Sequence, residues 1–203
     1  MSAAVQSRRR YTWDEYVAIE AAAGPGERYE YWDGKVRPVH GYDDQGRAMA
    51  GASPAHNQIT GNLVAALHGP MTERGCRVGL GDQRVWMEEG RYSYPDVVFV
   101  CDEPSYDDSN PPVLLNPTLL VEVVSPSTVG RDRGAKLRAY AGIEGLVEYW
   151  IVEAEEAAVT RVIRQPDGGA LRFVAGPDAT LASDALGVSV PLADVYRLVD
   201  LGA

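Results

Sequence analysis

The chain is poor in histidine, cysteine, positive charge and long apolar runs, and each shortage excludes something. No apolar stretch in its 203 residues approaches the length of a membrane span. Arg8-Arg9-Arg10 has no apolar stretch behind it, so the start is not expected to be a secretory signal. Residues 1–10 are expected to be a disordered tail, and 11–203 a single domain with a full core. There are three histidines, and His56 has no cysteine or second histidine beside it, which argues against zinc. No Gly-x-Ser-x-Gly elbow, Walker loop or dinucleotide-binding glycine loop is present. The two cysteines, Cys76 and Cys101, allow at most one bridge. Cys101 ends an apolar run and reads as a packed thiol, with a cytoplasmic setting as the default. The net charge of −10 argues against bulk electrostatic binding of DNA. It leaves room for weak or local contact, because divalent ions can offset acids in a nuclease site.

The composition, 45% apolar and 24% charged, is that of a soluble globular domain. Thr12-Trp13-Asp14-Glu15 is a capping box opening a helix to about Ala23. Asp33-Gly34 joins two strands as a hairpin. Ser53-Pro54 opens a second helix, expected to stop at Gly69-Pro70, with Ile59, Leu63, Val64 and Leu67 on one face. Strands follow near 76–78 and 83–87, then come the Asp96 and Glu122 segments. The proline-rich stretch between these two, Asp102 to Pro117, reads as a surface loop. A helix over 128–142, a strand over 148–152, a hairpin around Pro166-Asp167-Gly168-Gly169, a strand near Val188 and a helix over 192–199 finish the chain. The order implies a mixed sheet with helices packed on it, α/β or α+β.

Two carboxylates stand where apolar strands are expected: Asp96 in Tyr94–Val100 and Glu122 in Leu119–Val124. A carboxylate in a buried strand is costly unless something pairs with it. Two on neighbouring strands make a site for a hard divalent cation, Mg²⁺ or Mn²⁺. Each alone could equally be solvated or paired with an arginine. Asp132, Lys136 and Tyr140 lie four apart and form one helical stripe. That stripe is either a surface ion pair or a means of bringing Lys136 back over the carboxylates. Glu30, opposite in face to Tyr29 and Tyr31, reads by itself as an exposed hairpin glutamate, and His56 as a structural or exposed histidine.

Taken together, Tyr29–Val36, Ser53-Pro54-Ala55-His56, Tyr94-Pro95-Asp96-Val97, Val121–Thr128, Asp132 with Lys136 and Tyr140, and Glu148–Val152 resemble the Uma family of restriction endonucleases. That family lies within the PD-(D/E)XK nuclease superfamily, and the resemblance covers about residues 11–199. It implies a restriction-endonuclease-like core with a sheet of about four or five strands, and Mg²⁺-dependent hydrolysis of DNA phosphodiesters. It implies Asp96 and Glu122 as metal ligands with the Val123 carbonyl, and Glu30 as the amino-terminal acid completing the site. The superfamily lysine two residues after Glu122 is replaced by Val124, and the resemblance assigns its role to Lys136. His56, Asp132 and Tyr140 become supporting residues. Two alternatives stand beside this: a nuclease fold retained for binding nucleic acid or a partner, and a metal-dependent hydrolase of a small phosphodiester. A homodimer is expected, with Tyr196 and Leu198 in a carboxy-terminal segment that either caps the core or builds the dimer.

Overall fold

The run Leu119–Val124 forms β7, the strand around which both cores are arranged. Its residues alternate between two apolar clusters: Leu119, Val121 and Val123 face one, and Leu120 the other. This computed structural model describes residues 9–24, 27–39, 53–88, 91–109, 112–124, 139–140, 142–165 and 168–201. Asp132, Lys136 and the Gly41–Gly51 loop lie outside the described residues, as do residues 1–8 of the expected tail.

In chain order the described elements are α1 (Trp13–Ala22), β1 (Tyr29–Trp32), β2 (Lys35–Pro38), α2 (Pro54–Glu73), β3 (Arg77–Leu80), β4 (Val85–Glu88), β5 (Arg91–Ser93) and β6 (Val97–Val100). After β7 come β8 (Glu148–Glu153), β9 (Ala158–Gln165), β10 (Gly168–Ala175), β11 (Thr180–Ser183), β12 (Val188–Pro191) and α3 (Leu192–Val195). The main sheet has six strands in the order β10-β9-β8-β7-β6-β3, more than the four or five expected. Only β7 and β8 run parallel in it. A four-stranded sheet, β2-β1-β5-β4, and the β11–β12 hairpin complete the architecture.

One face of the main sheet is covered by α2, β11–β12 and α3, through Ile59, Leu63, Leu67, Met71, Leu181 and Val195. The other face meets Val85 and Met87 of β4 together with Ala139, Tyr140 and Ile143. The four-stranded sheet has its own core with α1, built from Tyr16, Tyr29, Tyr31 and Tyr92. The capping box and the hairpin form as expected: Asp33 and Gly34 both have positive φ, 47° and 80°, the pairing a two-residue primed turn requires.

Several boundaries differ. The second helix runs through Gly69-Pro70 to Glu73. Its apolar stripe continues to buried Met71, and the Thr72 hydroxyl lies 2.7 Å from the His68 carbonyl and 3.0 Å from that of Gly69. A proline near the last turn therefore leaves the helix intact. The packed thiol expected at Cys101 is corrected: Cys101 is bonded to Cys76. Arg77 pairs with Val100, so the next residues outward on β3 and β6 stand opposite one another. A disulfide gives no support to a cytoplasmic setting. No helix of the described residues is long and apolar enough to cross a membrane. The last helix is shorter than expected, and Tyr196 just beyond it caps the core. Its hydroxyl lies 2.8 Å from the Glu153 carbonyl and accepts from the Ala158 N–H at 3.2 Å. Leu198 stays 87% exposed.

Beneath the β11–β12 hairpin lies a buried ion pair. Glu148 accepts two hydrogen bonds from Arg161, at 2.6 and 2.9 Å, one from the Trp150 indole at 2.6 Å and one from Ser183. The partners belong to β8, β9 and β11, so this one carboxylate joins the hairpin to the sheet. Glu148→Ala strands the Arg161 guanidinium in the core and is expected to cost about 3–5 kcal/mol. Urea unfolding measures it; a loss below about 1 kcal/mol, the range of an exposed pair, would contradict this assignment.

Candidate functional site

Asp96 stands one residue before β6 rather than inside it, because Pro95 interrupts the ladder. Val97 pairs with Val121 and Phe99 with Leu119, so the same register sets Pro95 opposite Val123. In β7 the odd-numbered residues turn their backbone groups towards β6. Proline has no N–H to give the Val123 carbonyl. The Val123 N–H instead donates to Asp96 Oδ2 at 2.7 Å. The Val123 N–H thus fixes the Asp96 carboxylate on β7.

The other Asp96 oxygen meets His56. Ser53 caps α2 by accepting from the His56 N–H at 3.1 Å, which fixes His56 in the first turn. From there its Nε2 lies 3.2 Å from Asp96 Oδ1, with both side chains about a quarter exposed. The hydrogen bond to Asp96 raises the imidazole pKa above its ordinary 6.5, against an opposing effect of burial. His56 is therefore a direct partner of Asp96, not a bystander at a helix start.

Glu122 is buried on β7. Its Oε1 accepts from the Tyr140 hydroxyl at 2.6 Å and its Oε2 from the Tyr149 hydroxyl at 3.1 Å. The two rings pack with centroids 4.3 Å apart. Burial, then the charge of Glu122, pushes both phenol pKa values well up, so both remain donors. Tyr140 was legible from its spacing after Lys136. Tyr149 was not: inside an apolar strand a tyrosine reads as core, and only the pairing of Leu120 with Tyr149 brings it beside β7.

Glu30 is half-buried, not the exposed hairpin residue expected from its local sequence, and it accepts a hydrogen bond from Ser93. Ser93 ends β5 and lies three residues before Asp96. This short link from the small sheet to the large one draws Glu30 towards the site. The negative charges of Glu122, Asp96 and Glu30 all act on the Tyr149 hydroxyl. Among the described residues no three acidic, histidine or cysteine side chains converge as one ligand cluster. The candidate oxygen donors are the Asp96 and Glu122 carboxylates, set opposite one another by the strand register, and the Val123 carbonyl, with Glu30 as an acidic neighbour.

This donor set suits a hard divalent ion. All three groups offer oxygen, and a carboxylate oxygen that accepts one hydrogen bond keeps a second lone pair. Asp132 and Lys136 lie outside the described residues, so their stripe with Tyr140 has no described geometry.

Residues 13–193 match the model of the Uma2 family, described as "Putative restriction endonuclease". The chain belongs to the Uma2 family. Two proteins of Synechocystis sp. (strain ATCC 27184 / PCC 6803 / Kazusa) are similar to it. The uncharacterized protein sll1609 is 32% identical over 150 residues, 73% of this chain and 78% of that protein. The uncharacterized protein slr1290 is 30% identical over 173 residues, 84% of this chain and 90% of that protein. A crystal structure of a putative nuclease belonging to DUF820, from Anabaena variabilis ATCC 29413, superposes with a TM-score of 0.68. It covers 90% of this chain and 96% of its own, at 14% identity, a likeness of fold. The Uma2 chain described here thus has the mixed α+β architecture expected from its sequence, helices packed on a restriction-endonuclease-like sheet.

The His56–Asp96 contact carries a pH dependence. Because the folded pKa of His56 is raised, its stabilising contribution is fully present below the unfolded value near 6.5. It is lost as pH rises through the folded value. Asp96→Asn removes the cause, and an NMR titration of His56 should show its midpoint move down. An unchanged midpoint would mean that the contact is not made in solution.

Proposed function

We propose that this Uma2 chain is a metal-dependent DNA endonuclease that hydrolyses phosphodiester bonds. The observation that carries the reading is the β6–β7 register, which sets Asp96 opposite Glu122, with the Val123 N–H on Asp96 Oδ2. Family membership and the nuclease neighbour support it. In this reading Asp96, Glu122 and the Val123 carbonyl hold Mg²⁺ or Mn²⁺. The ion, when bound, supplies charge to offset the phosphoryl oxygens and to make an attacking water more acidic.

The chain's own residues supply the rest. His56 orients Asp96 through Oδ1, while the Val123 N–H holds Oδ2. Tyr140 and Tyr149 fix the Glu122 carboxylate in rotation. Glu30 adds negative charge at the margin, suited to accepting a proton or supporting a second ion. Lys136 takes the role of the displaced superfamily lysine, orienting water or a phosphate oxygen. With a net charge of −10, DNA is held by local contacts and not by a basic surface. Glu122 and Asp96 already have hydrogen-bond donors on all four oxygens, which favours a second reading: a retained nuclease fold that binds without cutting.

Cleavage of supercoiled plasmid and single-stranded DNA with Mg²⁺ or Mn²⁺ separates the two. The nuclease reading expects metal-dependent cleavage that Asp96→Ala and Glu122→Ala abolish while the fold survives. Equal cleavage by wild type and both variants, or none by folded wild type, would sink it. Tyr149→Phe removes one donor to Glu122 and keeps the ring. It should weaken Mn²⁺ binding about tenfold or more by calorimetry, the usual effect of losing a ligand's own hydrogen-bond partner. Unchanged Mn²⁺ affinity would make Tyr149 a packing residue only.

A further inference from the structure

β10 is an outer strand of the main sheet, and among the described residues only β9 pairs with it. The Arg164 N–H donates to the Val147 carbonyl, so the even-numbered residues of β9 turn their backbone groups towards β8. The odd-numbered ones face β10, and their partners there are the even-numbered residues. The N–H and C=O groups of Gly169, Leu171, Phe173 and Ala175 therefore point away from the sheet. The side chains of Leu171 and Phe173 are each 66% exposed on one face. The strand spans eight residues with no proline, and Arg172 is its one charge. Edge strands of soluble proteins are normally shortened, charged or covered, and two neighbouring exposed apolar side chains on such an edge mark a contact surface.

We propose that β10 pairs antiparallel with β10 of a second copy of this chain, about a two-fold axis at Leu171, joining the two main sheets into one. Length and charge select this occupant. The other outer strands among the described residues, β2, β3, β4, β11 and β12, span four residues each and cannot match the edge. An axis at Leu171 uses residues 168–174 of both copies. It sets Leu171 against its own copy, Phe173 over Gly169 and Arg172 beside Ala170. An aromatic laid across a strand glycine is a favourable cross-strand pair. An axis at Arg172 would instead place two guanidinium groups face to face, which is unfavourable. Phe173 pairs with Thr160, Thr160 with Ile151 and Ile151 with Glu122, so one row of side chains links the edge to the carboxylate strand. The pairing does not rest on the nuclease reading and can be tested without DNA or metal.

Sedimentation of the full chain from about 1 to 100 µM reads the assembly. The expected result is a dimer that Phe173→Glu and Leu171→Glu each convert to monomer, with unchanged circular dichroism. Under mild oxidant Leu171→Cys should form a cross-linked dimer, since directly opposed residues lie about 5.5 Å apart at Cα. Phe173→Cys, which faces Gly169, should not. Monomeric wild type at 100 µM would overturn the proposal, as would a dimer that survives both charge variants. Cross-linking at position 173 in place of 171 would overturn the register.

Discussion

The missing N–H of Pro95 is the constraint on which the site depends. At any other residue the β6–β7 ladder would continue, and Val123 would spend both backbone groups on β6. Proline stops the ladder one step early. The Val123 N–H passes to Asp96 Oδ2, at 2.7 Å, and the Val123 carbonyl has no N–H to accept from at Pro95. The next strand position upstream, Ser93, already belongs to the other sheet and bonds Glu30. Three residues therefore separate the two sheets and bring an acid from each towards one place. The hydrogen bond from the His56 N–H to the Ser53 cap then sets His56 against the other oxygen of Asp96.

Two buried glutamates in adjacent strands show how differently the same cost is met. Glu148 on β8 faces a guanidinium, an indole N–H and a hydroxyl, a set that neutralises it and ties three strands together. Glu122 on β7 faces two phenol hydroxyls, one for each oxygen. Each phenol donor restrains the carboxylate's rotation. The Glu148 arrangement belongs to stability. The Glu122 hydrogen bonds fix a carboxylate at the position that the proposed metal site requires.

Much of this was legible in the sequence because it depends on local chemistry. The capping box at Thr12, the Asp33-Gly34 turn, the Ser53-Pro54 helix start and the apolar runs of β6, β7 and β8 each announce themselves within a few residues. Asp96 and Glu122 stood out because carboxylates are rare in such runs. What escaped depends on register and tertiary contact. Tyr149 is one of many apolar-looking residues until strand pairing sets it beside Glu122. Met71 carries α2 past Pro70 because its side chain is buried, which a breaker rule cannot see. Cys76 and Cys101 become a bridge only through the pairing of β3 with β6. β11 was missed because its alternation is brief and its partner, β12, lies across a turn.

The proposed metal site requires a divalent ion held between Asp96, Glu122 and the Val123 carbonyl. Anomalous diffraction from crystals grown with Mn²⁺ tests it directly. One strong peak is expected, bonded to an oxygen of each of these three groups, with Tyr149 still on Glu122. A peak elsewhere, or none at millimolar Mn²⁺ with the three groups arranged as described here, would contradict it.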